Sequence, residues 1–405
     1  MAGWRNQRSH KPDPHGVMRR LLLDVTRTLQ SEQHTGIQRV VRRLWHALHA
    51  TSTKNRDCAV DAVMFEGTRW HKLTQMPRHA LESDTPDTPD THNPSQASAE
   101  PIQPGPGDTL LLADASWYLD PWPAVDAALD NGAVLAGFVH DLLPLQQPQW
   151  FKPELPTRFA AHLQQLTARA SLLLTPSHVV RAALQGHSTR APVVRLALGA
   201  DFLPAHALPQ IPALPLPALM VNPFVLMVGT IEPRKNHQLV LAAFEQLWEQ
   251  GSPLQLVLVG ASGWCSDALL QRIETHAEKG KRLHRFTHLP DVQLHTLYKN
   301  AQALAFASLN EGFGLPLAEA AYLGCPVLAA DIPVLREVGG DWPSYLPVDN
   351  TAPWVVALTA LQNIRPASAT PTPARTWDQV ADELWKALTL ETSNTKKINR
   401  TNQRI

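Results

Sequence analysis

Ser308-Leu-Asn-Glu-Gly-Phe-Gly-Leu-Pro-Leu-Ala-Glu-Ala-Ala321 is the stretch from which the fold of this chain can be read. The apolar residues 303–307 precede it and have the composition of a strand buried on both faces. Residues 315–323 are predicted to form a helix. In the loop between strand and helix, Gly312 and Gly314 permit backbone conformations and close approaches that other residues resist. A strand, a glycine-bearing loop and a helix N-terminus together form a geometry that binds phosphates and the sugars attached to them. The stretch therefore predicts a parallel α/β sheet with a binding site at this turn.

Four charged side chains are predicted to meet at this site. Glu311 and Glu319 bracket the turn, and Arg234 and Lys235 follow an earlier strand of the same half of the chain. Either glutamate alone could equally be a solvated residue, because most glutamates are exposed. At the carboxyl edge of a parallel sheet, however, the two cations can neutralise a diphosphate while the carboxylates accept hydrogen bonds from hydroxyl groups on either side. The pattern therefore predicts a nucleotide-sugar site.

Composition narrows the possible classes of protein. A chain of 405 residues suggests two domains, and its equal numbers of Lys+Arg and Asp+Glu, 36 each, give no reason to expect a nucleic-acid partner. Three widely separated cysteines show neither disulfide nor metal-ligand spacing. The basic N-terminus lacks the apolar core of a signal peptide, and no apolar run is long enough to span a bilayer. We expect a cytoplasmic protein, whose basic tails and arginine-bearing first helix leave peripheral contact with the inner face of the membrane as an alternative to simple solvation.

The alternation of apolar and polar segments predicts two Rossmann-like, doubly wound α/β domains, at residues 20–203 and 224–365. Residues 82–108, rich in Pro, Thr, Asp and Ser, are predicted to be a mobile insertion in the first domain. The segments outside the two domains are predicted to be a disordered basic tail (1–19), a Pro-rich linker (204–223), a second linker (366–375), a C-terminal helix that returns to the first domain (376–391) and a disordered tail (392–405).

The first domain supplies further candidates at its strand ends. His140 and Asp141 follow an apolar strand, at the edge where such sheets bind ligands, so that His140 could contact a sugar hydroxyl or transfer a proton. A lone histidine at that point could equally be structural. Gly36 precedes an amphipathic helix whose Arg39 could meet an anionic group or belong to a solvated face.

Together these motifs resemble those of the retaining glycosyltransferases of family 4, which have the GT-B fold of two Rossmann-like domains facing a cleft. Glu311-x7-Glu319, with Glu311-Gly-Phe-Gly-Leu-Pro316 inside it, resembles their signature. The other segments that are similar to family blocks are Thr35–Arg39, His140–Pro144, Gly229–Asn236, Asp331–Asp341 and Gly260–Trp264, the last like a run seen in mannosyl- and rhamnosyl-transferring members. Gln38 departs from the pattern, because many members have a second glycine there, and this weakens the phosphate role of Gly36 and Arg39.

The resemblance implies a role for each matching residue. Arg234 and Lys235 would bind the donor diphosphate and stabilise the leaving group, Glu319 would hold the ribose and Glu311 the transferred sugar. His140 would contact that sugar from the acceptor domain. The other implied contacts are backbone amides at Phe313, Gly314 and Leu315, donor-binding positions at Gly229 and Thr230, and a weak acceptor-side or phosphate loop at Gly36, Arg39 and Asp141. No cofactor or metal is implied, and the sequence contains no Asp-x-Asp pair.

The activity that the resemblance implies is retaining transfer of a hexose, with mannose or a deoxyhexose such as rhamnose favoured. The donor would be a nucleotide-diphosphate sugar, with GDP favoured and UDP open, and the acceptor a glycan or a polyprenyl-linked glycan in surface polysaccharide synthesis. Two alternatives remain: a nucleotide-sugar epimerase of similar fold, which would turn over donor without acceptor, and a non-catalytic nucleotide-sugar-binding module.

Overall fold

Two mainly parallel β-sheets form the framework of the chain. The computed structural model describes residues 19–30, 36–54, 58–74, 98–187, 189–202, 222–264, 266–362 and 375–402, with side chains from residue 20 to residue 389. The predicted linkers at 204–223 and 366–375, most of the predicted insertion and residues 1–18 lie outside these ranges, apart from residues 222, 223 and 375.

The first sheet has the strand order β4-β3-β2-β1-β5-β6-β7-β8. Its strands are Arg19–Asp24 (β1), Cys58–Glu66 (β2), Arg69–Leu73 (β3), Ala99–Ile102 (β4), Asp108–Leu112 (β5), Val134–Phe138 (β6), Leu172–Thr175 (β7) and Val193–Arg195 (β8). All pairs are parallel except those that β3 makes with β2 and β4. The central strands are fully buried because helices cover both faces, which explains their continuous apolar runs.

The second sheet is parallel throughout and has the order β11-β10-β9-β12-β13-β14. Its strands are Phe224–Val228 (β9), Gln255–Val259 (β10), Leu283–Phe286 (β11), Ala303–Phe306 (β12), Val327–Ala330 (β13) and Ser344–Leu346 (β14). The direction of strand succession reverses between β9 and β12. The loops that follow these two strands therefore flank a crevice at the carboxyl edge, where doubly wound sheets bind ligands.

Helices connect the strands of each sheet. Those of the first sheet are Thr26–Gln30, Gly36–Lys54, Trp122–Asp130, Leu143–Gln146, Glu154–Arg169 and His178–Gln185. Those of the second are His237–Glu249, Asp267–Glu274, Asp291–Asn300, Leu315–Tyr322, Pro333–Gly339 and Thr351–Ala360.

The C-terminal helix Trp377–Asn402 packs on the first sheet, not on the second sheet that precedes it in the chain. Trp377 and Leu384 are buried in the same core as Val41 and Leu44 of the helix Gly36–Lys54. The backbone N–H of Trp377 also donates to Asp201 Oδ1 at 2.6 Å. The chain therefore crosses from the second domain back to the first before it ends.

Two sequence expectations are wrong in detail. The predicted tail at 392–405 continues the C-terminal helix as far as Asn402, because residues 377–402 contain no proline or glycine to stop it. Within the predicted insertion 82–108, residues 99–102 form β4, and Pro101 is tolerated there because β4 is an edge strand.

Candidate active site

Arg234, Lys235 and Glu311 meet at the point where the strand order of the second sheet reverses. Arg234 Nη1 donates to Glu311 Oε2 at 2.8 Å, and Lys235 Nζ donates to Glu311 Oε1. The backbone N–H of Leu309 donates to the Arg234 carbonyl at 2.7 Å, which fixes the loop after β12 against the loop after β9. The structure therefore brings together side chains 76 and 77 positions apart in the sequence.

The charges of this cluster determine its protonation. Burial alone would raise the pKa of Glu311, but Lys235 and Arg234 outweigh burial and lower it to about 2. Burial lowers the pKa of Lys235, and the positive charge of Arg234 lowers it further. A second buried carboxylate, Glu232, lies 2.6 Å from Arg234 Nε, and burial raises its pKa. Glu311 is thus ionised at neutral pH and partly neutralises two cations.

The second signature carboxylate, Glu319, is bound from both domains. Arg39 Nε of the first domain lies 2.8 Å from Glu319 Oε1, and the Tyr298 hydroxyl donates to Oε2 at 3.1 Å. Arg39 Nη1 also donates to Asp291 Oδ1 at 3.0 Å, and Arg43 donates to the other oxygen of Asp291. Burial raises the pKa of Glu319. Ion pairs of partly buried Arg39 and of buried Arg43 therefore join the helix Gly36–Lys54 to the second domain.

The backbones of the two domains approach each other closely at Gly312. A Cβ atom at this position would lie 2.1 Å from the His140 carbonyl oxygen and 3.1 Å from Asp141 Cβ. The Ser177 hydroxyl donates to the Gly312 carbonyl at 2.8 Å. Only a residue without a side chain fits here while the loop after β12 contacts the first domain.

His140 is held in one tautomer by its surroundings. Its Nε2 lies 2.7 Å from the Ala113 carbonyl oxygen, which can only accept, so Nε2 carries the proton and Nδ1 is an acceptor. Burial lowers the pKa of His140 to about 4, which leaves the ring neutral at neutral pH. Beside it, Asp141 Oδ1 accepts from the Leu143 N–H at 3.0 Å, and burial raises the pKa of Asp141.

A cavity of about 650 Å³ lies between the domains, and all the candidate site residues predicted from the sequence line it. Gly314, at a φ of 97°, precedes the helix Leu315–Tyr322, and the Phe313 side chain packs in the core that includes the first sheet. Gly36 begins its helix with open space around it. The predicted residues on the cavity wall are Gly36, Arg39, His140, Asp141, Gly229, Thr230, Arg234, Lys235, Glu311, Phe313, Gly314, Leu315 and Glu319.

Sequence reasoning missed several residues of this network. Glu232 belongs to the segment Gly229–Asn236, but no role was predicted for it. Asp291 is the first residue of a helix that follows β11, at the same carboxyl edge as the candidate residues, and this position could have identified it from the sequence. Glu337 lies inside the segment Asp331–Asp341 that resembles a family block, but no role was predicted for it. Its carboxylate accepts from the backbone N–H of His178 at 2.8 Å and from Arg195 Nε at 3.0 Å, both in the other domain.

The described residues contain neither a metal-binding cluster nor a membrane-spanning helix. Within the ranges that the structure covers, no group of three or more His, Cys, Asp and Glu side chains is arranged to hold a metal ion. In the same part of the chain, no helix is long and apolar enough to cross a membrane.

Comparison with known proteins agrees with this geometry. The sequence model of the family described as Glycosyl transferases group 1 matches residues 218–353, which include the loops after β9 and β12. The serotype-specific mannosyltransferase WbdA of Escherichia coli is 32% identical over 343 residues, which are 81% of this chain and 39% of that protein. O-antigen chain mannosyltransferase B of Escherichia coli is 29% identical over 268 residues, 64% of this chain and 69% of that protein. The chain thus spans less than half the length of the WbdA protein that it matches.

Solved structures share the architecture of both domains. Sucrose-phosphate synthase from Thermosynechococcus elongatus superposes with a TM-score of 0.58 at 18% identity, over 95% of this chain and 98% of that one. HepE of Anabaena, solved with UDP and glucose, superposes with a TM-score of 0.60 at 16% identity, over 92% and 99% of the two chains. These likenesses confirm the predicted fold class of two Rossmann-like domains. Residues 218–353 therefore match the group 1 glycosyltransferase family, and the two domains together have the GT-B fold.

Proposed function

We propose that the chain is a retaining, metal-independent glycosyltransferase that transfers a hexose from a nucleotide-diphosphate sugar. The observation that supports this most directly is the convergence of Lys235 and Arg234 on Glu311, beside a glycine-bearing loop in the cleft. Two adjacent cations at the carboxyl edge suit the diphosphate of such a donor, and they supply the charge that a metal would otherwise bring.

The reaction requires stabilisation of the departing diphosphate. The acceptor hydroxyl oxygen bonds to the anomeric carbon as the bond from that carbon to the phosphate oxygen breaks. The hydroxyl proton passes to the departing phosphate oxygen on the same face of the sugar. Lys235 and Arg234 stabilise the negative charge that develops on this oxygen, which is an electrostatic form of catalysis.

The remaining site residues position the donor. Glu311, ionised at neutral pH, accepts hydrogen bonds from hydroxyls of the transferred sugar, and Glu319 accepts them from the ribose. Neutral His140 accepts a hydrogen bond from the same sugar at Nδ1. Arg39 already contacts Glu319, so the ribose shares that carboxylate with Arg39 or displaces it.

Mannose from GDP-mannose is the donor that we favour, since both curated relatives named above are mannosyltransferases. The product would be part of a surface polysaccharide such as an O-antigen, and the acceptor a glycan, free or polyprenyl-linked. A cytoplasmic location, with or without contact at the inner membrane face, is part of the same proposal, and three widely separated cysteines without disulfide spacing support a reducing compartment.

A donor panel tests this proposal. Purified protein is incubated with GDP-mannose, GDP-rhamnose, UDP-glucose and UDP-N-acetylglucosamine, with and without an α-linked mannotriose, and release of nucleoside diphosphate is measured. Acceptor-dependent release from one donor supports transfer. Conversion of the donor sugar without acceptor would indicate an epimerase, and binding without turnover of any donor would indicate a non-catalytic module.

Two further measurements test the finer claims. NMR of the product should show the same anomeric configuration as the donor sugar, and activity should persist in EDTA. An inverted product or loss of activity on chelation would contradict the retaining or the metal-independent assignment.

A further inference from the structure

The cavity extends beyond the charged cluster to a wall of aromatic side chains. Trp117, Tyr118 and Phe151 come from the first domain and Trp264 from the second, and we call these four residues the aromatic wall. None of the four is fully buried, and Tyr118 is 40% exposed. The donor contacts proposed above use none of them.

Trp264 joins the aromatic wall to the loop after β9. Its Nε1 donates to the Trp150 carbonyl, and its ring lies 5.6 Å from that of Phe151 in a stacked arrangement at 28°. The loop that carries Trp264 is bonded to the loop after β9: Ile231 N–H donates to the Ala261 carbonyl, and Gly263 N–H donates to the Ile231 carbonyl, both at 2.9 Å. The aromatic wall therefore begins beside the segment that holds Arg234 and Lys235.

The other end of the aromatic wall is held rigidly. Trp117 and Tyr118 lie on a short helical turn after β5, and the hydroxyl of Ser116 on that turn donates to Asp24 Oδ2 at 3.0 Å. The Trp117 ring packs edge-on at 5.3 Å from Phe159. The Arg27 guanidinium lies 5.0 Å from the centre of the Tyr118 ring, a cation–π contact. These contacts orient the rings before any ligand binds.

The ionisable groups near the aromatic wall suit a neutral ligand better than a diphosphate. Burial lowers the pKa of His140 and of His162 to about 4, so both rings are neutral. Asp114 accepts the Thr28 N–H at 2.6 Å and is already engaged. A ligand bound here meets aromatic faces and neutral acceptors, with Arg27 at the Tyr118 ring and Arg42 interacting with Asp114.

We propose that the aromatic wall is the acceptor subsite and that it binds the terminal pyranose of a neutral oligosaccharide. A pyranose presents a C–H face that packs on aromatic rings, while its hydroxyls stay free for hydrogen bonding and for reaction. A sugar so placed lies next to the loop after β9, which carries Arg234 and Lys235. One of its hydroxyls can then reach the anomeric carbon of the donor sugar. The inference rests on the proposed function, since it identifies the acceptor of that reaction, and it selects a glycan over recognition through a polyprenyl diphosphate.

The test compares Tyr118→Ala with Tyr322→Ala. Tyr322 is a matched control because its side chain is 38% exposed and lies outside the cavity. With the fastest donor of the panel, Tyr118→Ala should raise the KM for α-linked mannotriose about threefold to tenfold, which is the scale of one aromatic contact. The donor KM should stay unchanged, and Tyr322→Ala should behave as the unaltered protein. Phe151→Ala, on the other side of the aromatic wall, should give the same selective rise.

A direct binding measurement separates this inference from the proposed function. Saturation-transfer NMR with mannotriose and no donor should show contact with the unaltered protein and with Tyr322→Ala, and a weakened signal with Tyr118→Ala. Equal signals for both variants, or an unchanged acceptor KM in Tyr118→Ala, would overturn the subsite even if transfer occurs. Use of a polyprenyl-diphosphate-linked mannose without any use of mannotriose would overturn it too. If no donor of the panel gives acceptor-dependent release of nucleoside diphosphate, the proposed function is refuted instead. The NMR result would still decide whether the aromatic wall binds a saccharide.

Discussion

Gly312→Ala tests whether catalysis needs the loop after β12 in direct contact with the first domain. The backbone of Gly312 lies outside the left-handed region, so alanine introduces no backbone strain there. The added Cβ atom, however, would lie 2.1 Å from the His140 carbonyl oxygen. Because that oxygen is backbone of the opposite domain, no side-chain rotation can relieve the overlap.

The structure gives the size of the expected effect. Non-bonded carbon and oxygen atoms ordinarily lie about 3.3–3.6 Å apart, so the domains must separate locally by at least about 1.2 Å. A misplacement of about 1 Å can cost about 100-fold in rate. We therefore expect kcat/KM for the fastest donor to fall about 100-fold. Both domain cores remain intact, so the melting temperature should shift by no more than about 2 °C.

The assay is nucleoside diphosphate release at saturating acceptor, with circular dichroism to follow thermal unfolding. Gly186→Ala is the control, because its Cβ atom would meet only the Ala183 carbonyl, at 3.3 Å, and its φ of −72° suits alanine. It should retain full activity. If Gly312→Ala also retains full activity, the contact between Gly312 and His140 is not part of the productive conformation.

Four further predictions follow from the same geometry. Glu311→Gln should lower kcat at least about 100-fold without unfolding the protein, because it removes the ionised acceptor for the sugar hydroxyls; activity close to that of the unaltered protein would refute that role. The His140 ring, with a pKa lowered by burial to about 4, should show no NMR titration between pH 5.5 and 8, so a midpoint near 6.5 would show that it is not buried and neutral. Glu337→Ala removes the acceptor for His178 N–H and the partner of Arg195, and should raise the donor KM about fivefold because the contact between the two domains is weakened. Arg336→Ala on the same helix should leave the donor KM unchanged, because Arg336 pairs with Asp331 of its own domain. Leu384→Ala in the C-terminal helix should lower the free energy of unfolding by about 2–5 kcal/mol in urea titrations, with exposed Lys386→Ala within about 0.5 kcal/mol; equal losses would show that the helix does not pack on the first domain.

Local sequence patterns were sufficient to predict the architecture. Apolar runs such as 224–228 and 303–306 are strands because both faces are covered, and the glycine-bearing turns that follow them mark the carboxyl edge. From this it followed that Arg234, Lys235 and Glu311 would lie together, since parallel strands bring their ends to one edge. The edge strand β4 was missed because its four residues include a proline and are flanked by a strongly polar segment.

Local sequence patterns are enough to predict the two α/β domains and the candidate residues of the second domain. The way in which the domains meet depends on the folded structure. Arg39 reaches Asp291 across 252 positions of sequence, and Gly312 touches the His140 carbonyl, because two domains dock in one particular orientation. No periodicity or motif encodes that orientation, which arises from the packing of buried surfaces distant in the chain. The residues of the turn at Glu311 therefore predict a phosphate- and sugar-binding loop, but its ion pairs depend on Arg234 and Lys235, and its contact with the first domain depends on the fold as a whole.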